Sequence, residues 1–300
     1  MSLDAPEPPA VAVVHHPIPR RYVVLGLIVV VIVLLGALIV IREHNPQTNT
    51  ADTETVTPAP ASTLAALAQI PAKTTNAVGA TPVAAAGPIT PLTATGKPTI
   101  WRAPSRSGAL RPVVFFYGAE FAPYAAAQRW PLIVALDRFG TFGPVGQMQS
   151  SGSMAFPNTN TFTFWHATYT SKWIDLQTVE RYSALNPTGA SYTTLQVPTG
   201  RQALAVSAYD TTGSTFPLLD IANRYVLVGS SFTPAVLAGQ SQSQIVNDLG
   251  IPTSPITQAI VASANEITAG ICAVTGQQPA ATCHARGVSA ARAKLRIPTS

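Results

Sequence analysis

From Tyr22 to Ile41 the chain reads YVVLGLIVVVIVLLGALIVI, twenty residues with no charge and no proline. A helix crossing the hydrocarbon core of a bilayer needs about 20 such residues at ~1.5 Å rise each. In water the β-branched content would suit a strand, but in lipid every backbone polar group must be satisfied within its own segment, which selects helix. Arg20 and Arg21 precede the stretch, whereas Arg42 after it is offset by Glu43. This basic excess places the N-terminus in the cytoplasm. A cleaved signal peptide is the rival reading. Its apolar region would be about 7–15 residues, and a small-residue cleavage site would follow. Here the stretch is longer, starts behind a Pro-rich tail and runs into Arg42-Glu43-His44-Asn45. The expectation is a single-pass cell-membrane protein, with residues 1–21 a disordered cytoplasmic tail, 22–41 the transmembrane helix, and the C-terminal domain extracytoplasmic.

After the anchor the character changes twice. From 42 to 98 the chain is rich in Thr, Ala and Pro and poor in aromatics, as in Thr55-Val56-Thr57-Pro58-Ala59-Pro60. Such a stretch buries too little apolar surface to offset its ordering entropy, so it reads as a semi-extended spacer. Leu64 to Ile70 could form a helical turn or two. Trp101 opens the globular part, 99–292, where most aromatics fall. Pro112 to Tyr117 is an apolar run bounded by Pro and Gly118, a buried strand. Tyr124 to Phe139 follows as a helix stopped by Gly140. Further strands are read at Gly146–Ser151 and Thr161–Tyr169, and a hairpin from Phe216–Ile221 to Tyr225–Gly229. Helices are read at Pro234–Leu249 and Pro255–Val274. Strands and helices around a mixed sheet make an α/β domain.

The segment with chemical content is Ala119-Glu120-Phe121-Ala122-Pro123-Tyr124-Ala125, a turn between that first strand and its helix. With cysteines at Ala122 and Ala125 it would read A-E-F-C-P-Y-C, which is similar to the active-site turn of thioredoxin-like oxidoreductases. A cysteine at a helix N-terminus meets free N–H groups and the positive end of the dipole, which stabilise a thiolate. A partner three residues on lies on the same helical face, within disulfide reach. Pro131 stands where that family's helix often carries a kinking proline. Thr215-Phe216-Pro217 matches the place of its cis-proline, beside which an extended peptide could pair.

The strings Phe115 to Leu132, Phe162 to Ile174 and Pro217 to Gly229, with the Cys272…Cys283 tail, resemble the domain of unknown function 929 family. These are membrane-anchored proteins with a thioredoxin-like ectodomain, whose turn typically carries C-P-Y-C. The resemblance implies a thioredoxin-like mixed sheet flanked by helices. This chain departs from the pattern at both cysteines, so Ala122 and Ala125 mark vestigial positions and no catalytic residue is named. Exchange needs a thiolate attacking a disulfide sulfur, which alanine cannot supply. The alanines are either natural or the product of replacement, and sequence does not separate the two.

Cys272 closes an amphipathic helix and Cys283 follows a Gly276-Gln277-Gln278-Pro279 turn. An extracytoplasmic compartment and an even count suit one bridge. A redox pair is the alternative, but ten intervening residues is not the compact spacing of reactive pairs, so a structural disulfide is favoured. The five histidines lack metal-ligand spacing, and no metal or other cofactor is expected. No nucleophile elbow, P-loop or dinucleotide fingerprint occurs. The formal net charge of +5 is scattered without a basic stripe, which argues against nucleic acid as a partner. Phe162, Phe164, Trp165, Tyr169 and Trp173 read as core and edge-strand packing in preference to a binding surface.

Three functions are compatible with these residues. One is a thiol-disulfide oxidoreductase scaffold, redox-inactive as written, whose partners would be exported protein chains. Another is a thiol-independent module that holds an extended peptide in a groove beside Phe121, Pro123, Tyr124, Phe216 and Pro217. The last is a structural module of the envelope.

Overall fold

The computed structural model describes residues 56–79, 87–105, 108–184, 191–210 and 215–298. The expected membrane helix, 22–41, and the tail before it lie outside the described residues. Among the described residues no helix is long and apolar enough to cross a membrane.

In chain order, β1 (Thr57–Pro58), α1 (Ala61–Ala68) and α2 (Ala72–Val78) come first. They fall inside the stretch read above as a spacer, and they differ from it physically. Pro60 and Pro71 sit at the two N-caps, and the helices bury Leu67, Thr74 and Val78 against the rest of the domain. Few apolar residues suffice because the partner surface is already folded. Ile89 and Leu92 are also core residues. Next come β2 (Thr93–Ala94), β3 (Arg102–Pro104), β4 (Leu110–Gly118) and α3 (Pro123–Leu136). Four short strands follow, β5 (Gly140–Phe142), β6 (Gly146–Gln149), β7 (Asn160–Thr163) and β8 (Tyr169–Ser171). Then β9 (Asp175–Glu180), α4 (Arg201–Tyr209), β10 (Leu218–Ile221) and β11 (Tyr225–Val228) complete the sheet. A 3₁₀ turn at Pro234–Leu237 and helices α5 (Gln242–Asp248), α6 (Pro255–Val274), α7 (Ala280–Cys283) and α8 (Arg286–Lys294) end the described chain.

β4 organises the domain. On one edge it runs parallel to β9, with Val113 opposite Asp175 through Gly118 opposite Glu180. On the other it runs antiparallel to β10, which pairs with β11, which pairs with β2. Where β10 ends, β3 takes up the same edge: Val113 N–H donates to Trp101 O, and Ala222 N–H donates to Val113 O. A parallel pair requires a crossover, and α3 begins it. Side chains alternate across a strand, and both faces of β4 are covered. Val114 and Phe116 join the main core with α3 and α6, while Val113, Phe115 and Tyr117 pack with Trp101, Val179 and Val206. α6 is apolar or small on nearly its whole circumference and is buried accordingly. At Gly270 an added Cβ would meet Ile221 Cδ1 at 2.9 Å and Leu92 Cδ1 at 3.0 Å, so a larger residue there would require those side chains to shift.

The fold is mixed α/β, as the sequence predicts, and β4, α3, the β10–β11 hairpin and α6 lie where expected. Two further expectations are corrected. The Pro234–Leu249 helix divides at Gly239, whose φ of +71° breaks the helical path, and Ser241 starts α5 with a capping box to Gln244. The Thr161–Tyr169 strand divides into β7 and β8 around His166, whose φ is +62°.

Candidate functional site

β4 is apolar up to Tyr117 and then ends at Gly118, where an added Cβ would sit 3.1 Å from Glu180 Oε2 and closer still to the Phe116 ring. Ala119, Glu120 and Phe121 turn the chain. Pro123 at the first helical position, with φ pre-set for helix, starts α3. Ala122 is therefore the N-cap, and among the described residues no side chain caps the helix start. Ala122 is 6 % exposed, and Ala125, three residues on, is fully buried. The turn so places one position at the rim and the other inside, both at the positive end of the helix.

Beneath the turn lies a set of charged groups shielded from water. Arg129, one to two helical turns into α3, donates from Nε to Glu180 Oε1 at 3.0 Å and from Nη2 to Glu180 Oε2 at 2.6 Å. The same Nη2 donates to Ala119 O at 3.1 Å, tying the pair to the turn. Glu180 also accepts from Phe164 N–H at 3.1 Å. Glu120 is 4 % exposed; it accepts from Thr163 Oγ1 at 2.5 Å and from Ala184 N–H at 3.3 Å. Burial pushes the Glu120 carboxyl above its ordinary value. The Glu180 charge adds to that rise, against the pull of Thr163, Arg129 and the Ala184 amide. A carboxyl so placed can hold or move a proton directly below the turn.

Above the turn is an aromatic cluster. Phe121 meets Phe216 edge-on at 5.8 Å and Tyr182 at 6.2 Å, while Tyr117 lies 5.1 Å from Phe216. The Phe216–Pro217 bond is cis, at the position marked in the sequence. Pro123 and Pro217 are buried, Phe121 and Phe216 are half-buried, and Tyr124 stands 42 % exposed with its ring against Phe156 at 6.0 Å. The structure thus brings Phe121 and Phe216 together, while Tyr124 faces solvent with Phe156 as its ring neighbour. One neighbour was not foreseen: Tyr192 stacks on Phe121 at 4.1 Å and 11°, and its hydroxyl reaches Ser151 Oγ at 3.1 Å. Ser151 N–H in turn donates to Phe121 O at 3.1 Å. Part of the Phe121 ring is therefore covered by the chain itself.

Arg129, Glu180, Tyr182 and Tyr192 went unread in the sequence. Arg129 did carry a signal, as the one charge on an otherwise apolar helix, PYAAAQRWPLIVAL. A buried helix tolerates such a charge only when it is paired. Its partner, 51 residues away, had no local mark.

Cys272 and Cys283 form a disulfide with Cα atoms 5.6 Å apart, both nearly inaccessible. It fastens α7 to the end of α6, far in sequence from the turn. Among the described residues, no group of three or more His, Cys, Asp or Glu could hold a metal ion.

A family model described as a domain of unknown function, DUF929, matches residues 108–273. That span includes β4, the turn, α3, β9, the β10–β11 hairpin and nearly all of α6. No curated protein and no solved structure matches the chain.

Proposed function

The chain belongs to the DUF929 family, and from that premise we propose that it is a membrane-anchored, thioredoxin-like protein of the thiol-disulfide oxidoreductase type whose exchange chemistry is absent. The observation that carries this reading is the turn at the head of α3. It joins β4 to a helix whose uncapped N-terminus receives position 122 at the rim and position 125 inside. The strand order β9–β4–β10–β11, with the first pair parallel and the others antiparallel, supports the thioredoxin-like assignment. The buried disulfide supports an oxidising compartment. The apolar segment 22–41 supports the anchor.

The missing step can be written out. A thiolate at position 122 would attack one sulfur of a substrate disulfide, and the other sulfur would leave as a thiolate. A second thiolate at 125 would then attack the mixed disulfide, oxidising the pair and reducing the substrate by two electrons. With Ala122 and Ala125 neither bond can form. Ala122→Cys with Ala125→Cys tests the proposal, by turnover of a disulfide substrate with dithiothreitol as reductant. Silence in a folded double variant would overturn it.

A second reading is favoured by the rings of Phe121, Phe216 and Tyr124 beside the turn. It makes this surface a thiol-independent groove for an extended, apolar peptide of an exported chain. Stacked and edge-on rings offer large contact area at low entropic cost. Peptide-array binding tests it, with Tyr124→Ala as control.

A further inference from the structure

The far end of α3 carries a second feature, about 20 Å from the turn by the rise of a fourteen-residue helix. Here α1 and α2 lean against α3, α6 and α8 and leave a cavity of about 180 Å³ that opens to solvent. Leu67, Ile70, Val134 and Val288 supply apolar wall. Arg138 supplies a cation. Its Nη1 donates to Asn265 Oδ1 at 3.0 Å and to Thr268 Oγ1 at 2.8 Å, both neutral acceptors. Its Nη2 is buried and has no hydrogen-bond partner among the described residues. Among the described residues no carboxylate pairs with it; the ion pairs there are Arg129–Glu180 and Lys294–Glu266. The Asn265 amide nitrogen, a donor like the guanidinium, is turned the other way, to Thr75 O and Gly79 O.

The Arg138 side chain is half-buried, and among the described residues it lacks a counter-charge, which leaves its guanidinium incompletely compensated. Burial lowers the Arg138 pKa to about 10, which still leaves it charged at neutral pH. A cation beside a cavity can be met by an anion, and carboxylate is the planar partner that the arginine fork fits. Apolar walls select the rest of the molecule. A cavity of that volume takes the short chain of a small molecule.

We propose that this cavity is a binding site for a short aliphatic monocarboxylate, held at its charged end by Arg138 and along its chain by the Leu67, Ile70, Val134 and Val288 walls. Because α1 and α2 form one side of the cavity, the occupant would also hold that segment against the domain. The site is separate from the turn, and it stands or falls independently of the thiol reading.

The test uses the 300-residue chain in detergent and titrates butyrate, butan-1-ol and inorganic phosphate by calorimetry and saturation-transfer NMR. Saturable binding of butyrate is expected, with the alcohol and phosphate weaker by about tenfold or more, the loss of one charge-assisted contact or of the apolar one. Arg138→Met should reduce butyrate to the level of the alcohol, and Val288→Phe should abolish it by filling the cavity while keeping the cation. Butyrate should also slow proteolysis between residues 61 and 78. No saturable butyrate binding, equal binding of butan-1-ol or phosphate, or butyrate affinity unchanged in the variants would overturn the proposal. Should Arg138→Met fail to fold, the comparison of the three ligands and Val288→Phe still decide it.

Discussion

Arg129 and Glu180 meet 2.6 Å apart with both side chains completely buried, and through this pair the helix after the turn is joined to the end of the parallel strand β9. The pair sits below Gly118 and Ala119, so it also sets the floor of the candidate site. Removing one member strands the other charge in the interior. Glu180→Gln is expected to cost ~3–5 kcal/mol in denaturant unfolding. Arg129→Met with Glu180→Leu should recover much of that loss, since no charge is then left unpaired. A loss below ~1 kcal/mol for Glu180→Gln would mean that water reaches the pair.

Asp137, just past the end of α3, gives a pH signature. Burial pushes its carboxyl from the ordinary 3.8 up to about 7. An acid with a raised folded pKa holds its proton more tightly when folded. Its contribution to stability is complete below the unfolded value and is lost as pH rises through about 7. Asp137→Asn should therefore stabilise the protein at pH 8 by up to ~4 kcal/mol, the free-energy equivalent of the shift. The difference should vanish below about pH 4. Thermal unfolding of both proteins from pH 3.5 to pH 8 checks the trend, and parallel curves would contradict it.

Cys272 and Cys283 close a short loop between α6 and α7. Loop-closure entropy gives such a bridge about 2–3 kcal/mol. The double Cys→Ala variant should lose that amount in denaturant unfolding at neutral pH. If it acts only as a staple, activity restored at the turn should survive its removal. Loss of that activity in a folded variant would give the pair a redox role.

How much of this could be read from residues alone follows from where burial leaves a local mark. β4 was legible because Val113 to Tyr117 is apolar on both faces and is bounded by Pro112 and Gly118. α6 was legible because its apolar run is longer than a strand. β9 was not, since Asp175, Gln177 and Glu180 make it look like a loop; it is a strand because β4 offers its open edge. α1 and α2 have too little apolar surface to fold by themselves, and only the finished domain gives Leu67 and Val78 somewhere to go. The candidate turn was legible from its order of residue types. The groups that surround it, Arg129, Glu180, Tyr182 and Tyr192, meet through contacts across long sequence separations, which leave no pattern in any window.

The aromatic surface yields a prediction for the groove. Tyr124 is the exposed ring, so Tyr124→Ala should weaken capture of an extended apolar peptide by about fivefold or more, as for a central interface aromatic. Tyr192→Ala should not weaken it, since Tyr192 covers Phe121 from the chain's own side. Binding that ignores Tyr124 would place peptide recognition elsewhere.

The turn at Ala122 and Ala125 carries the central claim, and the double variant Ala122→Cys/Ala125→Cys tests it most directly. The measurement is the rate at which this variant, with dithiothreitol as reductant, reduces a fluorogenic disulfide substrate, compared with the parent chain. The account predicts turnover above the dithiothreitol background in the double variant, and none above that background in the parent or in a variant with cysteine at 125 alone. A double variant whose circular dichroism matches the parent and which reduces nothing would contradict it.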